Sequence, residues 1–509
     1  MAEMGIGTAV LSLPAGLPAG PVGPQNREAA RHFNEHAAEI CREHPGKFGF
    51  FACLPNLKDT DGALAEIGHA LDYLKAWGIA MSSSYGEAAD AKYIGDDMFD
   101  SVWEELDRRA AVVFLHGNQI PSSTPYPHPF LGIPVTEVPN ETFKAAAHLV
   151  VTGKKRRFPN VKIILAHLGG STPFLAPRVA VLSRHMGCTL SHEEIVEDFK
   201  TFYYDLALGS HEITLTAMRA FVGEDRLLFG TDFPAVSIEM AGWYTRNADA
   251  FFSDDRDALQ KVMYQNARSR ARPRSCAKSR EISPDGGTAE PEPGMLLRDT
   301  GAFWIRLTLL LKRRSGKIDV HHHNFPNMPW TPEKSIAAMD ELGIEMAILS
   351  LPDGWPGAVA YNRKTAQICN EHPDRFGFSA SLPDLRQTEA AAKQLIYALD
   401  ELHANAVSMS SSYGDGPHAS QPARVWEELD RRAAVVFLHG AQTPSYDAQP
   451  SPLLGVPVTE VSPYKNQRYV KPVFCDGAHE HKYPNVKIVL AHLGGNTIWL
   501  APRAAVLWS

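Results

Sequence analysis

The segment VWEELDRRAAVVFLHG occupies residues 102–117 and returns unchanged at residues 425–440. Its first half, WEELDRR, predicts a helix whose solvated face carries paired charges. Its second half, AVVFLHG, is a short apolar, β-branched run that ends in histidine and glycine, which is typical of a buried strand. Such a unit belongs to an α/β fold, and its double occurrence indicates that the chain contains two copies of one domain.

Three other segments recur in the same order. REHPGKFGFFACLPNL from Arg42 returns as NEHPDRFGFSASLPDL from Asn370, AMSSSYG from Ala80 as VSMSSSYG from Val407, and VKIILAHLGG from Val161 as VKIVLAHLGG from Val486. The two copies lie more than 300 residues apart, which is too long a period for a solenoid and predicts domain duplication. We expect copy A at residues 1–268, a disordered linker rich in Pro, Gly, Ser and charge at 269–316, and copy B at 317–509.

The number of strand-like runs predicts the architecture of each copy. Copy B has six: KIDVHHH, MAILSLPDG, FGFSASLP, AVSMSSSYG, AVVFLHG and KIVLAHLGG. Copy A lacks the first, has counterparts of the other five, and adds FYYDLAL (202–208) and RLLFGTDFP (226–234). Merged, the copies describe eight βα units, the number that closes a TIM barrel. The predicted fold is therefore a duplicated α/β (β/α)8 barrel in which copy A lacks strand 1 and copy B lacks strands 7 and 8.

Composition narrows the class of protein. The 509 residues include 44% hydrophobic and 21% charged residues with a net charge of −8, so neither nucleic acid nor a membrane is expected as a partner. Six cysteines without CxxC spacing indicate neither a disulfide framework nor a thiolate zinc site, which favours a reducing, cytoplasmic setting. The opening MAEMGIGTAVLSLPAG resembles a signal peptide, but its pattern recurs from Met339, so we expect a helix end and a buried strand instead.

Polar residues follow several of the predicted strands, where a barrel of this kind places its chemistry. In DVHHH, side chains alternate, so His321 and His323 would point to one side of their strand. With a third imidazole from FLHG and the carboxylate of FGTDFP, they would form a three-nitrogen, one-oxygen site for zinc or manganese. The histidine of AHLGG would lie beside that metal without binding it.

The order DVHHH, FLHG, AHLGG, FGTDFP resembles the amidohydrolase superfamily, in the branch that holds aminocarboxymuconate-semialdehyde, γ-resorcylate and 6-methylsalicylate decarboxylases. The metal ligands that the resemblance implies are His321, His323, His439, His116 and Asp232. The proton-handling residues that it implies are His167, His492 and Asp232. Both copies read MSSSYG after strand four, with no lysine to bridge a second metal, so one divalent ion is expected, zinc in preference to manganese.

The function implied by the resemblance is non-oxidative decarboxylation of a small aromatic or muconate-type carboxylic acid. Two alternatives stay open: a metal-dependent lactone or amide hydrolase on the same fold, and an inactive fused tandem pseudoenzyme. At single residues the simpler interpretations are a hydrogen-bonded core histidine for each strand-end imidazole and a turn or N-cap residue for Asp232. The HEH at 479–481 is interpreted as a solvated surface rather than a ligand pair.

Neither copy alone carries the whole predicted site, because the paired histidines and Asp232 lie in different copies. In one hypothesis, the strand at 317–324 completes the barrel of copy A and joins His321 and His323 to His116 and Asp232. In a second, copy B associates with strands 7 and 8 of copy A, within one chain or in a strand-swapped homo-oligomer. In a third, the fusion is inactive.

Overall fold

The computed structural model describes residues 1, 5–13, 17, 20–86, 91–118, 133–270, 317–323, 330–350, 358–410, 423–439 and 483–491. The predictions for His492, for HEH at 479–481 and for the linker beyond Arg270 lie outside these residues. His321 and His323 are described as backbone only. Within the described residues, no helix is both long enough and apolar enough to cross a bilayer.

A parallel sheet organises copy A. Its strands are β1 (Ala9–Leu11), β2 (Phe48–Cys53), β3 (Gly78–Ser82), β6 (Val112–His116), β7 (Lys162–Leu165), β8 (Tyr203–Asp205) and β9 (Leu227–Leu228). They lie in the order β1-β2-β3-β6-β7-β8-β9, so chain order and spatial order agree, as in a barrel built from successive βα units. Two short strands, β4 (Ser84–Tyr85) and β5 (Lys92–Tyr93), form an antiparallel pair in the connection after β3.

Helices connect successive strands of copy A. They are α1 (Pro24–Glu43), α2 (Thr60–Gly68), α3 (Asp100–Arg108), α4 (Ile133–Val151), α5 (Lys154–Arg157), α6 (Thr172–His185), α7 (His192–Lys200), α8 (Glu212–Val222), α9 (Ile238–Phe251), α10 (Arg256–Gln260) and α11 (Asn266–Arg270). Their starts follow local sequence signals: Ser191 and Glu194 form a reciprocal capping box at α7. Helix α11 ends at Arg270, two residues beyond the predicted end of copy A.

The helix prediction for WEELDRR is confirmed. In α3, Val102, Trp103 and Leu106 are buried, and the Trp103 indole N–H donates to the Ile94 carbonyl oxygen at 2.8 Å. On the exposed side, Arg108 donates two hydrogen bonds to the Glu105 carboxylate, and Arg109 Nε donates a third at 2.5 Å. The apolar side of α3 therefore faces the sheet and the paired charges face water.

The expectation of a buried strand near the N-terminus is half correct. The strand β1 forms and pairs in parallel with β2, with Ala9 opposite Phe48 and Leu11 opposite Phe50. It is not buried, since Val10 is 39% exposed and β1 is the last strand on its side of the sheet. A closed barrel would place strand 1 against this edge, and in the described sheet of copy A that position is empty.

Copy B repeats the plan with six parallel strands in chain order. They are β10 (Lys317–His323), β11 (Ile344–Ser350), β12 (Phe376–Ser381), β13 (Ala406–Ser410), β14 (Val435–His439) and β15 (Lys487–Leu490). Its described helices are α12 (Pro332–Leu342), α13 (Ala358–Glu371), α14 (Thr388–Asp400) and α15 (Ala423–Arg431). β10 pairs with β11 and lies in the sheet of copy B, not in that of copy A, so the hypothesis in which the 317–324 strand completes the sheet of copy A is wrong for this structure.

The two sheets share one register. His116 lies opposite Ser82 as His439 lies opposite Ser410, and Leu115 pairs with Leu165 as Leu438 pairs with Leu490. A one-residue slip would move every side chain to the other face, so equal register places corresponding residues on corresponding faces. The fold is a duplicated TIM-barrel-type α/β fold, as predicted, with a seven-stranded parallel sheet described in copy A and a six-stranded one in copy B.

Candidate active site

Three of the predicted site residues follow strands of copy A. His116 is the last residue of β6, His167 comes two residues after β7, and Asp232 comes four residues after β9. Because the strands are parallel, these residues gather at one edge of the sheet, at its carboxyl end. They are separated by 51 and 65 residues in the chain, and only the fold brings them together.

The three side chains converge on one point. Their candidate ligand atoms all lie within 4.8 Å of one another. The Nε2 atoms of His116 and His167 are 3.0 Å apart, and the two rings meet edge to face with centroids 4.8 Å apart. His167 is 3% exposed, whereas His116 and Asp232 are half-buried. The group therefore has an enclosed end at His167 and an open end at Asp232.

Backbone carbonyl groups assign the tautomers of both histidines. His116 Nδ1 donates to the Gly117 oxygen at 2.9 Å, and His167 Nδ1 donates to the Ala207 oxygen at 3.0 Å. Each ring in its neutral form then presents a lone pair at Nε2. Two lone pairs 3.0 Å apart repel each other, so a proton shared between the rings or a cation beside them stabilises this arrangement.

The backbone at two of these residues is left-handed. His167 has φ 54° and begins a run in which Leu168, Gly169 and Gly170 also have positive φ, while Asp232 has φ 60°. Such conformations cost free energy for residues with a side chain and are concentrated at functional sites. At Gly170 a side chain would also collide with α4, because an added Cβ would lie 2.0 Å from the Pro139 oxygen.

A buried polar network supports the His116 end of the group. Glu141 of α4 accepts hydrogen bonds from Tyr93 Oη at 3.1 Å, Lys144 Nζ at 3.0 Å and Ser83 Oγ at 3.3 Å. The Ser83 backbone N–H donates to the carbonyl oxygen of His116. This network ties the serine segment after β3 to the end of β6, so Ser83 has a structural role at the edge of the site.

Glu141 and Lys144 were not among the predicted site residues. Both are buried, at 7% and 3% exposure, and both lie on α4 just before the mostly apolar segment AAAHLVV. A pair of opposite charges three residues apart in such a helix was the available signal.

Asp205, which supports the His167 end of the group, was also not among the predicted site residues. Asp205, buried at the end of β8, accepts a hydrogen bond from the Ala207 N–H at 2.7 Å. The carbonyl of that same Ala207 orients the His167 ring. A buried carboxylate at the end of a predicted strand, YYD, was the available signal.

Copy B provides one described side chain of its predicted site. His439 ends β14 and is 3% exposed. The strand that carries His321 and His323 lies at the far side of the same sheet, with three strands between β10 and β14. Within the described residues, the structure therefore brings together His116, His167 and Asp232, and it places the paired-histidine strand in the other sheet.

An α/β barrel architecture with an imidazole and carboxylate cluster at the carboxyl ends of its strands defines the general class, that of metal-dependent barrel enzymes. The family model described as Amidohydrolase matches residues 8–269 and again 318–509. The chain belongs to this amidohydrolase family, in the branch whose curated relatives are carboxy-lyases.

Individual relatives are decarboxylases. A 6-methylsalicylic acid decarboxylase from Penicillium expansum is 39% identical over 237 residues, which are 46% of this chain and 72% of that protein. A gamma-resorcylate decarboxylase from Rhizobium sp. is 30% identical over 280 residues, covering 52% and 82% of the two chains. A solved dihydroxybenzoic acid decarboxylase from Polaromonas sp. JS666, with bound manganese and an inhibitor, is 26% identical, with a TM-score of 0.47 and coverage of 53% and 82%.

Proposed function

We propose that this chain is a metal-dependent, non-oxidative decarboxylase of a small aromatic or muconate-type carboxylic acid, and that copy A carries the working site. The convergence of His116, His167 and Asp232 within 4.8 Å is the observation that carries the proposal. Core histidines and turn aspartates need no such convergence, so their simpler interpretations explain this group less well.

The donor set fits a divalent ion. Two imidazoles and one carboxylate are ligands that suit zinc and manganese alike, and we keep zinc as the first candidate. His116 and Asp232 would hold the ion, since they form the more open part of the group. When bound, a divalent ion would supply positive charge to stabilise an anionic substrate in a partly dry site.

His167 is the proposed proton donor. Its Nδ1 is fixed by the Ala207 oxygen, which leaves Nε2 to hold a proton and release it towards the substrate. In the proposed step the proton goes from His167 Nε2 to the ring carbon that bears the carboxylate. This protonation uses one pair of ring π electrons. The bond from that carbon to the carboxylate then breaks, its electron pair restores the ring π system, and CO2 leaves. Asp232 shares the proton transfer by passing a proton taken up from solvent to the imidazole afterwards, which restores the imidazolium.

The experiment is an assay of CO2 release by the purified full chain. Suitable acids are 6-methylsalicylate and 2,6-dihydroxybenzoate, the substrates for which the relatives are named. The proposal expects CO2 and the decarboxylated ring in equal amounts, with activity lost in His167→Asn and Asp232→Asn. Hydrolysis of a lactone or amide without CO2 would favour the hydrolase alternative, and no turnover of either class would favour the pseudoenzyme.

We also propose the domain division at residues 1–268 and 317–509 and a strand-swapped homo-oligomer. In the described sheets, β9 and β10 each pair with one strand only. If β10 of one chain paired with β9 of another, the strand that carries His321 and His323 would lie beside Asp232. Light scattering of the full chain would show a dimer or larger assembly, whereas a monomer at all concentrations contradicts this part of the proposal.

A cytoplasmic location is proposed from the thiols. Cys53 and Cys188 are buried free cysteines, and burial raises the pKa of the Cys53 thiol to about 12, which keeps it protonated and unreactive. Cell fractionation tests the location, and recovery of the chain in a secreted fraction would contradict it.

A further inference from the structure

A cavity lies at the end of the copy A sheet opposite His116, His167 and Asp232. Its walls include the first residues of three strands, Val112 of β6, Lys162 of β7 and Tyr203 of β8. Since parallel strands all start at the same edge, this cavity is on the amino-terminal face of the sheet. Its volume of about 1100 Å³ is large enough for a small organic molecule.

Cationic side chains predominate in the walls. Five of them, Arg109, Lys155, Arg156, Lys162 and Arg226, line the cavity with only two carboxylates, Asp72 and Asp198. Both carboxylates are already engaged. Asp72 accepts from Arg109 at 2.8 Å and Asp198 accepts from Arg156 at 2.6 Å. The walls therefore hold more positive charge than their own acidic groups neutralise.

Lys155 is the most unusual member of this group. It is only 9% exposed, and its ammonium lies 5.7 Å from the centre of the Phe202 ring. Within the described residues it makes no hydrogen bond or ion pair. Its pKa is lowered, first by desolvation, with Asp198 opposing that effect and Arg226 adding to it. An ammonium that lines a cavity and has no acceptor among the described residues can take one from a bound anion.

Arg226 is a second cation without a carboxylate partner in the described structure. Its guanidinium stacks over the Tyr203 ring at 4.8 Å and donates to the Thr201 carbonyl oxygen at 3.4 Å. Lys155 and Arg226 carry like charges in the walls of one cavity, and one anion bound between them would stabilise both.

An aromatic surface lies in the same cavity. Trp77 is half-buried and its ring packs flat against β2 at Gly49, where an added Cβ would lie only 2.4 Å from the indole. A ring held in this way offers a flat apolar surface beside the cations.

We propose that this cavity binds an aromatic carboxylate, with Lys155 and Arg226 holding the carboxylate and Trp77 packing against the ring. This is a binding site separate from the histidine and aspartate group, and it does not depend on the decarboxylase proposal. A single carboxylate matches the two cations without acidic partners better than a phosphate would, because Arg109 and Arg156 are already paired.

Copy B supports the assignment to copy A alone. When TGKKRRFPN (152–160) is aligned with GAHEHKYPN (477–485) on the shared Pro-Asn, Lys155 corresponds to Glu480. An acidic residue at that position would repel the same ligand.

The test is calorimetric titration of the full-length chain with benzoate, in the presence of a chelator so that no metal contributes. We expect one binding event, weakened by about tenfold or more in Lys155→Met, because a charge-assisted hydrogen bond is lost while the packing against Phe202 remains. Lys200→Met is the matched control, since Lys200 is an exposed lysine on α7 paired with Glu197 outside the cavity, and its affinity should not change.

Three further measurements keep the outcome decisive. Because a single variant could lose binding by failing to fold, a second variant of the same cavity is needed. Arg226→Gln should weaken benzoate binding as Lys155→Met does. Binding that survives in both variants but disappears in His167→Asn would place benzoate at the other site and overturn the inference. Absence of benzoate binding by the unaltered chain, or tighter binding of inorganic phosphate than of benzoate, would also overturn it.

Discussion

Copies A and B share an unbroken run of 16 identical residues, yet only copy A assembles a cluster of potential metal ligands in the described structure. The helix and strand of that run fold alike in both, with Trp103 and Trp426 each 1% exposed. The difference arises outside the run, because Asp232 and His167 come from segments that have no counterpart among the described residues of copy B. Identical local sequence thus gives identical local structure, while the site depends on strands far away in the chain.

The residues that support the site in copy A are also different in copy B. Copy A reads IPVTEVPNETFK at 133–144 and copy B reads VPVTEVSPYKNQ at 456–467. Glu141 and Lys144, which hold Ser83 beside His116, correspond to Tyr464 and Gln467. The hydrogen-bonded support of the site is therefore encoded in copy A alone.

The largest expected effect separates the two copies by activity. His167→Asn removes the proposed proton donor and should lower the rate of CO2 release by about 10²- to 10⁴-fold, the usual contribution of a positioned acid or base. The corresponding change in copy B, His492→Asn, should leave the rate unaltered. Steady-state assays of both variants measure the contrast, and equal losses would show that both copies take part.

A second prediction concerns stability and treats the copies as equals. Trp103→Ala and Trp426→Ala each remove a fully buried indole and should each lower the free energy of unfolding of their own copy by about 3–5 kcal/mol. Hydrogen exchange followed by mass spectrometry resolves the copies, with β8 reporting on copy A and β12 on copy B. Loss of protection in both copies from one substitution would contradict separate cores.

A third prediction uses pH to distinguish copy A. Burial lowers the pKa of His148, on α4, from 6.5 to about 4. In the unfolded chain His148 binds a proton at higher pH than in the folded chain. The stabilisation is therefore fully present above pH 6.5, and the free energy of unfolding falls by up to about 3 kcal/mol as the pH drops towards 4. His148→Gln should flatten this part of the pH profile for copy A only. An unchanged profile in chemical denaturation would refute the assignment.

The smallest effect should again be equal in both copies. Arginine side chains lower the pKa of Glu105 and of Glu428 to about 2, through hydrogen bonds from Arg108 and Arg109 and from Arg431 and Arg432. The stabilisation is present above the usual pKa of 4.5 and is lost as the pH falls through 2. Glu105→Gln and Glu428→Gln should each cost no more than about 1 kcal/mol at neutral pH, because these pairs are largely solvated. A much larger cost in one copy would show that its helix is packed differently.

Much of this organisation could be predicted from the sequence because its signals are local. Short apolar runs that end in histidine mark β6, β14 and the segment before His167, and duplication doubles the evidence for each. The resemblance added what spacing alone could not, namely that Asp232 belongs with these histidines.

Other features could not be predicted, for physical reasons. The pattern KIDVHHH fits either side of a parallel sheet equally well, so the sequence could not decide between β11 and the open edge of copy A. The exposure of β1 depends on which strand lies beside it. The hydrogen bonds of Glu141 and Asp205 depend on side-chain directions that a one-dimensional pattern does not contain.

The central claim is that copy A holds the metal, and the metal content of the purified full chain tests it most directly. After loosely bound ions are removed, we expect about one divalent ion per chain, given the single cluster of ligands in the described residues. His116→Asn should remove that ion, whereas His439→Asn, the same change in the same 16-residue segment of copy B, should leave it in place. A chain that keeps its ion in His116→Asn and loses it in His439→Asn, or that never retains one, would contradict the account.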